Sequence, residues 1–340
     1  MARRRRTPNL EPSVKTLAFT LDPHYSDGVG QPVHEYIDLS QCASIVNRRF
    51  YRQGLEWAVA GFQIIGNGNG NVVISKVPQT WVASNAYEKT FRFWRQQIND
   101  AKKTLGDHVE GKFQDFKVYM DADHHSAGVG ANLIPFCMDG SATPFTAGEW
   151  DMSQIAISAS DSSGVNEYEL IWVGPNNPGA GASGMDAKSI IQGYADSRSL
   201  PYEEDPAVPS DMSLNWLAAM FNEGTLVDNA VINNLESQGD KAPYPYEGDG
   251  GHTDTMYPGG ESQAPSPELH GFNVLTSTTI GGMTSIAGGT FQGGLIKVSN
   301  QSENLPTAVS PGNGFTSLTL IVQLVPGDHR GYMARPQMEV

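Results

Sequence analysis

Four consecutive arginines, Arg3, Arg4, Arg5 and Arg6, stand near the start of the chain. A cationic run of this kind contacts phosphates without reading base sequence, and it also fits a nuclear-localisation signal. A second candidate is His252-Thr253-Asp254, an H-x-D pair. Completed by His270 or His329, it would give the two-histidine, one-carboxylate face of a non-haem iron centre. It lies in GDGGHTDTMYPGG, a glycine-rich stretch that predicts a turn with locally hydrogen-bonded Asp and Thr, not a rigid ligand frame. Asp121 and Asp123, followed by His124 and His125, could bind a divalent cation at a strand end. Two carboxylates supply too few oxygens for that, so a solvated turn is expected there. The run GNGNGN from Gly66 to Asn71 lacks the phosphate-loop pattern and is followed by VVISKV, a strand. It predicts a hairpin turn, since Asn and Gly supply positive φ. Neither G-x-S-x-G nor H-E-x-x-H occurs, which lowers the case for hydrolytic catalysis. Carboxylate pairs for glycoside cleavage leave no signature in spacing and stay open.

Composition sets limits on what can surround these residues. The 340 residues carry 37 acidic against 22 basic side chains, a net charge of -15, so a polycation sits at the end of an acidic body. Any anionic partner should therefore meet the arm and not the general surface. Hydrophobic residues make up 39% and charged ones 17%, with 37 Gly and 21 Pro, which suits many short strands joined by irregular loops. Cys42 and Cys137 match neither a disulfide framework nor C-x-x-C spacing, and both are expected reduced and buried. No cofactor or metal is expected. The stretch TPNLEPSVKT has no continuous apolar run and no segment approaches a membrane span, so a soluble protein without membrane insertion or conventional secretion is expected. The sequon Asn300-Gln301-Ser302 is accordingly expected to stay unmodified.

The elements follow from hydrophobic periodicity. Residues 1–12 read as a flexible arm and 13–340 as a single domain. Period-two alternation starts with Leu17, Phe19 and Leu21. It recurs at Leu55 to Ile65, Val72 to Val77, Phe113 to Asp121, Ser153 to Ser158, Tyr168 to Val173, Phe272 to Ile280, Leu295 to Val298 and Phe315 to Val325. In the last, Leu318, Leu320, Val322 and Leu324 face one way. Helices are predicted over Asn85 to Leu105, with Asn85 and Glu88 as a capping pair, and over Ser213 to Asn222 and Val227 to Ser237. About eight or nine strands with long excursions predict an all-β jelly-roll sandwich of two antiparallel sheets with a few inserted helices and long loops. Gly/Pro-rich loops at 175–184 and 243–267, with Tyr244, Tyr246, Tyr257 and Trp216 as anchors, are candidates for contacts between copies or for the outer surface.

Six segments in order, NVVISKVPQTWVASNAYEKTFRFWRQQI, DFKVYMDADH, TAGEWDMSQIAI, NEYELIWVG, PYPYEGDGGHTDTMYPGG and GGTFQGGLIKV, carry a resemblance. The chain resembles capsid proteins of the small circular Rep-encoding single-stranded DNA (CRESS-DNA) viruses. That resemblance implies a non-enzymatic virion subunit that assembles with about sixty copies of itself into a T=1 icosahedral shell around single-stranded DNA. It also implies that Arg3, Arg4, Arg5 and Arg6 face the genome and direct nuclear import, and that a host receptor is engaged. The arm is short for the family and the body acidic. About sixty arms supply about 240 charges, whereas the codons of this chain alone need about 1,020 nucleotides. Further basic groups are therefore expected to meet the genome, and sequence clustering selects Lys15, Arg48, Arg49 and Arg52. The rival classes are a carbohydrate-binding or carbohydrate-cleaving β-sandwich and a metal-dependent jelly-roll oxygenase.

Overall fold

The computed structural model describes residues 11–22, 33–105, 115–137, 143–158, 165–176, 179–199, 266–276, 279–302 and 317–337. In chain order it contains β1 (Thr16–Leu21), β2 (Val33–Asp38), α1 (Leu39–Asn47), β3 (Leu55–Asn67), β4 (Gly70–Lys76), α2 (Trp81–Leu105) and α3 (Ala122–Ala127). There follow β5 (Phe136–Cys137), β6 (Thr143–Pro144), β7 (Gln154–Ser158), β8 (Val165–Ile171), β9 (Ala187–Ser189) and α4 (Ile190–Ser199). The C-terminal part holds β10 (Glu268–Leu275), β11 (Met283–Phe291), β12 (Leu295–Ser302), β13 (Ser317–Leu324), β14 (Pro326–Gly327), β15 (Gly331–Tyr332) and β16 (Ala334–Pro336). The chain divides into two compact units, one of residues 1–77, 129–150 and 268–340, the other of 78–128 and 151–267.

The first unit is a pair of antiparallel sheets, ordered β1-β13-β3-β11 and β10-β4-β12-β2, with β16 extending the first by pairing to β3. Alternation explains the burial: Leu17, Phe19 and Leu21 of β1 and Leu318, Leu320, Val322 and Leu324 of β13 all enter one core. Val72 and Ile74 of β4 and Ile296 and Val298 of β12 enter it from the second sheet. Each such side chain contributes about 1.5–3 kcal/mol when fully buried. On β3 the inward residues are Leu55, Trp57 and Val59, then Phe62 and Ile64, a change of parity. Its cause is a bulge opposite β13, where Gln323 pairs with Gly61 but Leu324 with Val59. Gly288 of β11 lies over this point, where a Cβ would fall 2.1 Å from the Val59 carbonyl oxygen and 2.3 Å from that of Ala60.

The second unit packs α2 against α4 beside the sheet β7-β8-β9, in which β8 and β9 run parallel. Its centre is aromatic. Tyr87 stacks on Trp172 at 4.6 Å, and Phe116 meets Tyr87, Trp94 and Phe91 at 5.2, 5.4 and 5.7 Å between ring centroids. The outer face of α2 is basic, with Arg92 paired to Glu88 and Lys103 to Asp100. Among the described residues no helix is long and apolar enough to cross a membrane.

Several expectations are corrected. Helix α2 starts at Trp81, not Asn85, because the Thr80 Oγ1 accepts the Ala83 N–H at 3.2 Å and so caps it one turn earlier. Residues 115–118 form no strand; a single parallel bridge joins Tyr119 to Ile171. The GNGNGN run turns as expected, with Gly68 at φ 110, but the strands it joins belong to different sheets and do not pair as a hairpin. The strand expected over Phe272 to Ile280 is shifted to Glu268–Leu275. Cys42 is buried but Cys137, on the two-residue strand β5, is exposed; both are free. The predicted helices at 213–222 and 227–237, the loop at 243–267 up to Pro265, and the four aromatic anchors lie outside the described residues.

Candidate nucleic-acid interface

Arg3 to Arg6 lie outside the described residues, which begin at Glu11. What the structure places is the root of that arm. The Val14 N–H donates to Asn47 Oδ1 at 3.0 Å, the Tyr332 hydroxyl donates to the Val14 carbonyl at 2.5 Å, and Asn47 Nδ2 donates to the Tyr332 oxygen at 2.7 Å. Three distant segments thus meet there: the residues leading into β1, the end of α1 and strand β15. Helix α1 forms because Asp38 Oδ1 accepts the N–H groups of Ser40 and Gln41 at 2.8 and 3.2 Å. Its core side is Leu39, Cys42 and Ala43. It ends where Arg48 takes the left-handed conformation, φ 53 and ψ 40, and returns its N–H to Ser44.

Around this root the cations gather. Lys15 Nζ donates to Ser13 Oγ and to the Gly331 carbonyl and sits 4.5 Å over the Tyr332 ring. Partial desolvation there lowers its pKa from the ordinary lysine value. Arg49 pairs with Glu11, the first described residue of the chain. Arg48 is exposed just beyond the negative end of the α1 dipole. Arg330 is exposed too and donates from Nη1 to the Phe50 carbonyl at 2.6 Å, while its own carbonyl accepts the Tyr51 hydroxyl at 3.1 Å. Burial, and then the Arg330 charge, lower the His329 pKa from the ordinary histidine value, against an opposing pull from Glu11.

Among the described residues, Arg48 and Arg330 are the non-glycine positions with positive φ, 53° and 49°. A left-handed conformation costs about 1–2 kcal/mol for such residues, and both instances fall in this one cluster. Three of the four body cations expected from sequence, Lys15, Arg48 and Arg49, are therefore brought together. Arg52 is not: it is exposed, but its carbonyl accepts Ser40 Oγ at 3.1 Å, at the opposite end of α1. Arg330 was not legible in the sequence, where it is 281 residues from Arg49. The Asp328-His329-Arg330-Gly331 turn composition was the available signal. Residues 200–265, outside the described set, hold twelve of the 37 acidic residues and one of the 22 basic ones. The acidity of the chain is thus concentrated away in sequence from this cluster.

The other candidates resolve differently. Asp121 is no solvated turn: it caps α3 by accepting the His124 N–H at 2.9 Å. His124 and His125 are both fully buried, His124 Nδ1 accepting the Met120 N–H at 3.1 Å and His125 Nε2 lying 2.9 Å from Glu169 Oε2. His252 and Asp254 lie outside the described residues. His270 donates from Nε2 to the Ala287 carbonyl at 2.9 Å, so that nitrogen offers no lone pair to a metal. Among the described residues no group of three or more His, Cys, Asp or Glu is arranged to hold a metal ion.

Two carboxyls stand above the ordinary range. Asp38 is raised to about 6 by complete burial, although Gln53 Nε2 and Trp150 Nε1 also donate to it, both at 3.2 Å. Glu35 is raised to about 7, chiefly by burial and further by Asp22, while its bond from the Asp22 N–H opposes the shift. Asp38, enclosed and met by four donors, is a helix cap with no open face for a substrate. Asn300 of the sequon is buried and donates to Asp22 and Glu35, so it presents no amide for glycan attachment. No family model, curated protein or solved structure matches this chain.

Proposed function

We propose that this protein is the coat subunit of a small icosahedral virion, a jelly roll that assembles with about sixty copies of itself around circular single-stranded DNA. The fold part of the reading is supported by strand order. Numbered 1 to 8 along the chain, the principal strands β1, β2, β3, β4, β10, β11, β12 and β13 make sheets of order 1-8-3-6 and 2-7-4-5. That interleaving is what two Greek keys folded face to face produce. The remaining 78–128 and 151–267 are long excursions between those strands.

The observation that carries the nucleic-acid part is the meeting of Lys15, Arg48, Arg49 and Arg330 at the point where the arginine arm joins the body. These body cations add to the four arginines of the arm as phosphate contacts, with Glu11, paired to Arg49, as an acidic neighbour. No catalytic step is needed. Virion assembly in a host nucleus and engagement of a host receptor are parts of the same proposal.

The test is expression of the full chain followed by electron microscopy and extraction of nuclease-protected nucleic acid. Uniform particles of about 20 nm, the size that sixty domains of this mass enclose, are expected. Deleting Ala2 to Arg6 should leave particles with less DNA. Monomers or small oligomers at every salt and pH tried would overturn the reading.

A further inference from the structure

The outer face of the β10-β4-β12-β2 sheet is uneven in character. Cross-strand register sets three rows on it: Leu269, Ser75, Lys297 and Tyr36; Phe272, Val73, Ser299 and His34; Val274, Asn71 and Gln301. The β10 end of each row is apolar and open to water, with Phe272 64%, Leu269 56% and Val274 46% exposed. Across the second and third rows no side chain is a carboxylate, lysine or arginine. Single exposed apolar residues need no explanation, but three aligned on one strand of a chain this acidic do.

The free edge of β10 is not where a partner adds a strand. His270 Nε2 and Asn273 Nδ2 donate across to the carbonyls of Ala287 and Ser285 on β11 at 2.9 and 3.0 Å. Glycines permit that approach: a Cβ on Gly271 would lie 2.7 Å from Ile286 Cγ2, and one on Gly289 2.6 Å from His270 Cε1. With the edges of the two sheets stitched together, a partner meets the face.

We infer that this face, centred on Phe272, is a contact between two copies of the chain in the assembled shell; the inference rests on the coat-protein reading and names one of its interfaces. Charge selects the occupant. At a net charge of -15 the copies repel, so they associate best through a face without carboxylates, whereas a cationic partner finds no carboxylate in these rows and a nucleic acid finds only Lys297, buried over the Tyr36 ring. Area selects the setting. About three strands at ~4.8 Å spacing and seven residues at ~3.4 Å rise span about 350 Å². A stable isolated dimer needs about 800 Å² per partner. The face is too small to hold two copies alone and is of the size expected for one of several contacts around each subunit of a closed shell.

The experiment uses the full chain with Phe272→Asp, and separately with a photo-crosslinking side chain at position 272, followed by sedimentation velocity, electron microscopy and thermal melting. The expected result is an unchanged monomer melting temperature, a concentration threshold for assembly raised more than about 30-fold as for loss of an aromatic anchor, and light-induced covalent dimers of the chain. Particles of Phe272→Asp forming at the wild-type threshold, with no chain-to-chain adduct, would overturn the inference and leave the coat-protein reading standing. If the wild type forms no particles, that reading falls, and the crosslinker alone decides the surface: dimers support it, their absence or adducts to other molecules overturn it. Should Phe272→Asp fail to fold, the crosslinking variant decides in the same way.

Discussion

Arg48 and Arg330 offer a clean perturbation because both occupy left-handed backbone that glycine adopts without penalty. Arg48→Gly combined with Arg330→Gly removes two charges while relieving two strained positions, so stability should change little. The gain of up to about 1–2 kcal/mol per site is offset by the greater entropy of glycine in the unfolded chain and by loss of the Arg330 bond to the Phe50 carbonyl. Binding to single-stranded DNA should respond differently. Each phosphate contact contributes about 0.7 to the slope of log affinity against log salt, so the double variant should lower that slope by about 1.4. The corresponding loss of affinity is about 25-fold at 0.1 M salt and under about 3-fold at 0.5 M. Fluorescence anisotropy of a labelled oligothymidine against the unassembled subunit, between 0.05 and 0.5 M salt, reads both quantities. Arg335→Gln is the control, since Arg335, on β16, is paired with Glu56 of β3 at 2.8 Å and is not among the cations at the arm root. An unchanged slope, or an equal loss at every salt concentration, would refute the assignment of these arginines to phosphate contact.

Asp38 and Glu35 make stability depend on pH. Both are acids raised above their unfolded values, to about 6 and about 7, so the folded chain binds more protons than the unfolded one across that interval. Their contribution is complete below about pH 4 and is lost as pH rises through 6 to 7, with Asp38 accounting for about 3 kcal/mol. Melting followed from pH 4 to 7.5 should show Asp38→Asn less stable at low pH but with a flatter decline; parallel curves for variant and wild type would contradict this. Gly288→Ala should destabilise by about 1–3 kcal/mol in urea titrations, because its Cβ has no room over the carbonyls of Val59 and Ala60. Thiol labelling of the native protein should modify Cys137 readily and Cys42 only on unfolding, since Cys42 is buried and its thiol is pushed up by desolvation.

Much of the strand inventory was legible because alternation is written locally. Leu17, Phe19 and Leu21, or Leu318 through Leu324, reveal a buried face with no knowledge of the partner. Strand β2 escaped because its sequence, VHEYID, places Glu35 between Val33 and Ile37, where alternation calls for an apolar side chain. β11 escaped because MTSIAGGTF is glycine-interrupted, and those glycines serve close approaches to β3 and β10. The start of α2 was misplaced because Asn85 and Glu88 match a capping pattern that Thr80 satisfies first.

By itself the sequence determined the mostly β character, the charged arm set against an acidic chain, and the long helix. The tertiary structure alone decided the strand order, the burial of Asp38 as a cap, and the meeting of Lys15 with Gly331 across 316 residues of chain. It also put Arg330 among the arm-root cations and left Arg52 apart. The physical reason is range: side-chain periodicity is a property of neighbours along the chain. Which strands pair, and which charges come to share one surface, depends on contacts whose partners no local pattern identifies.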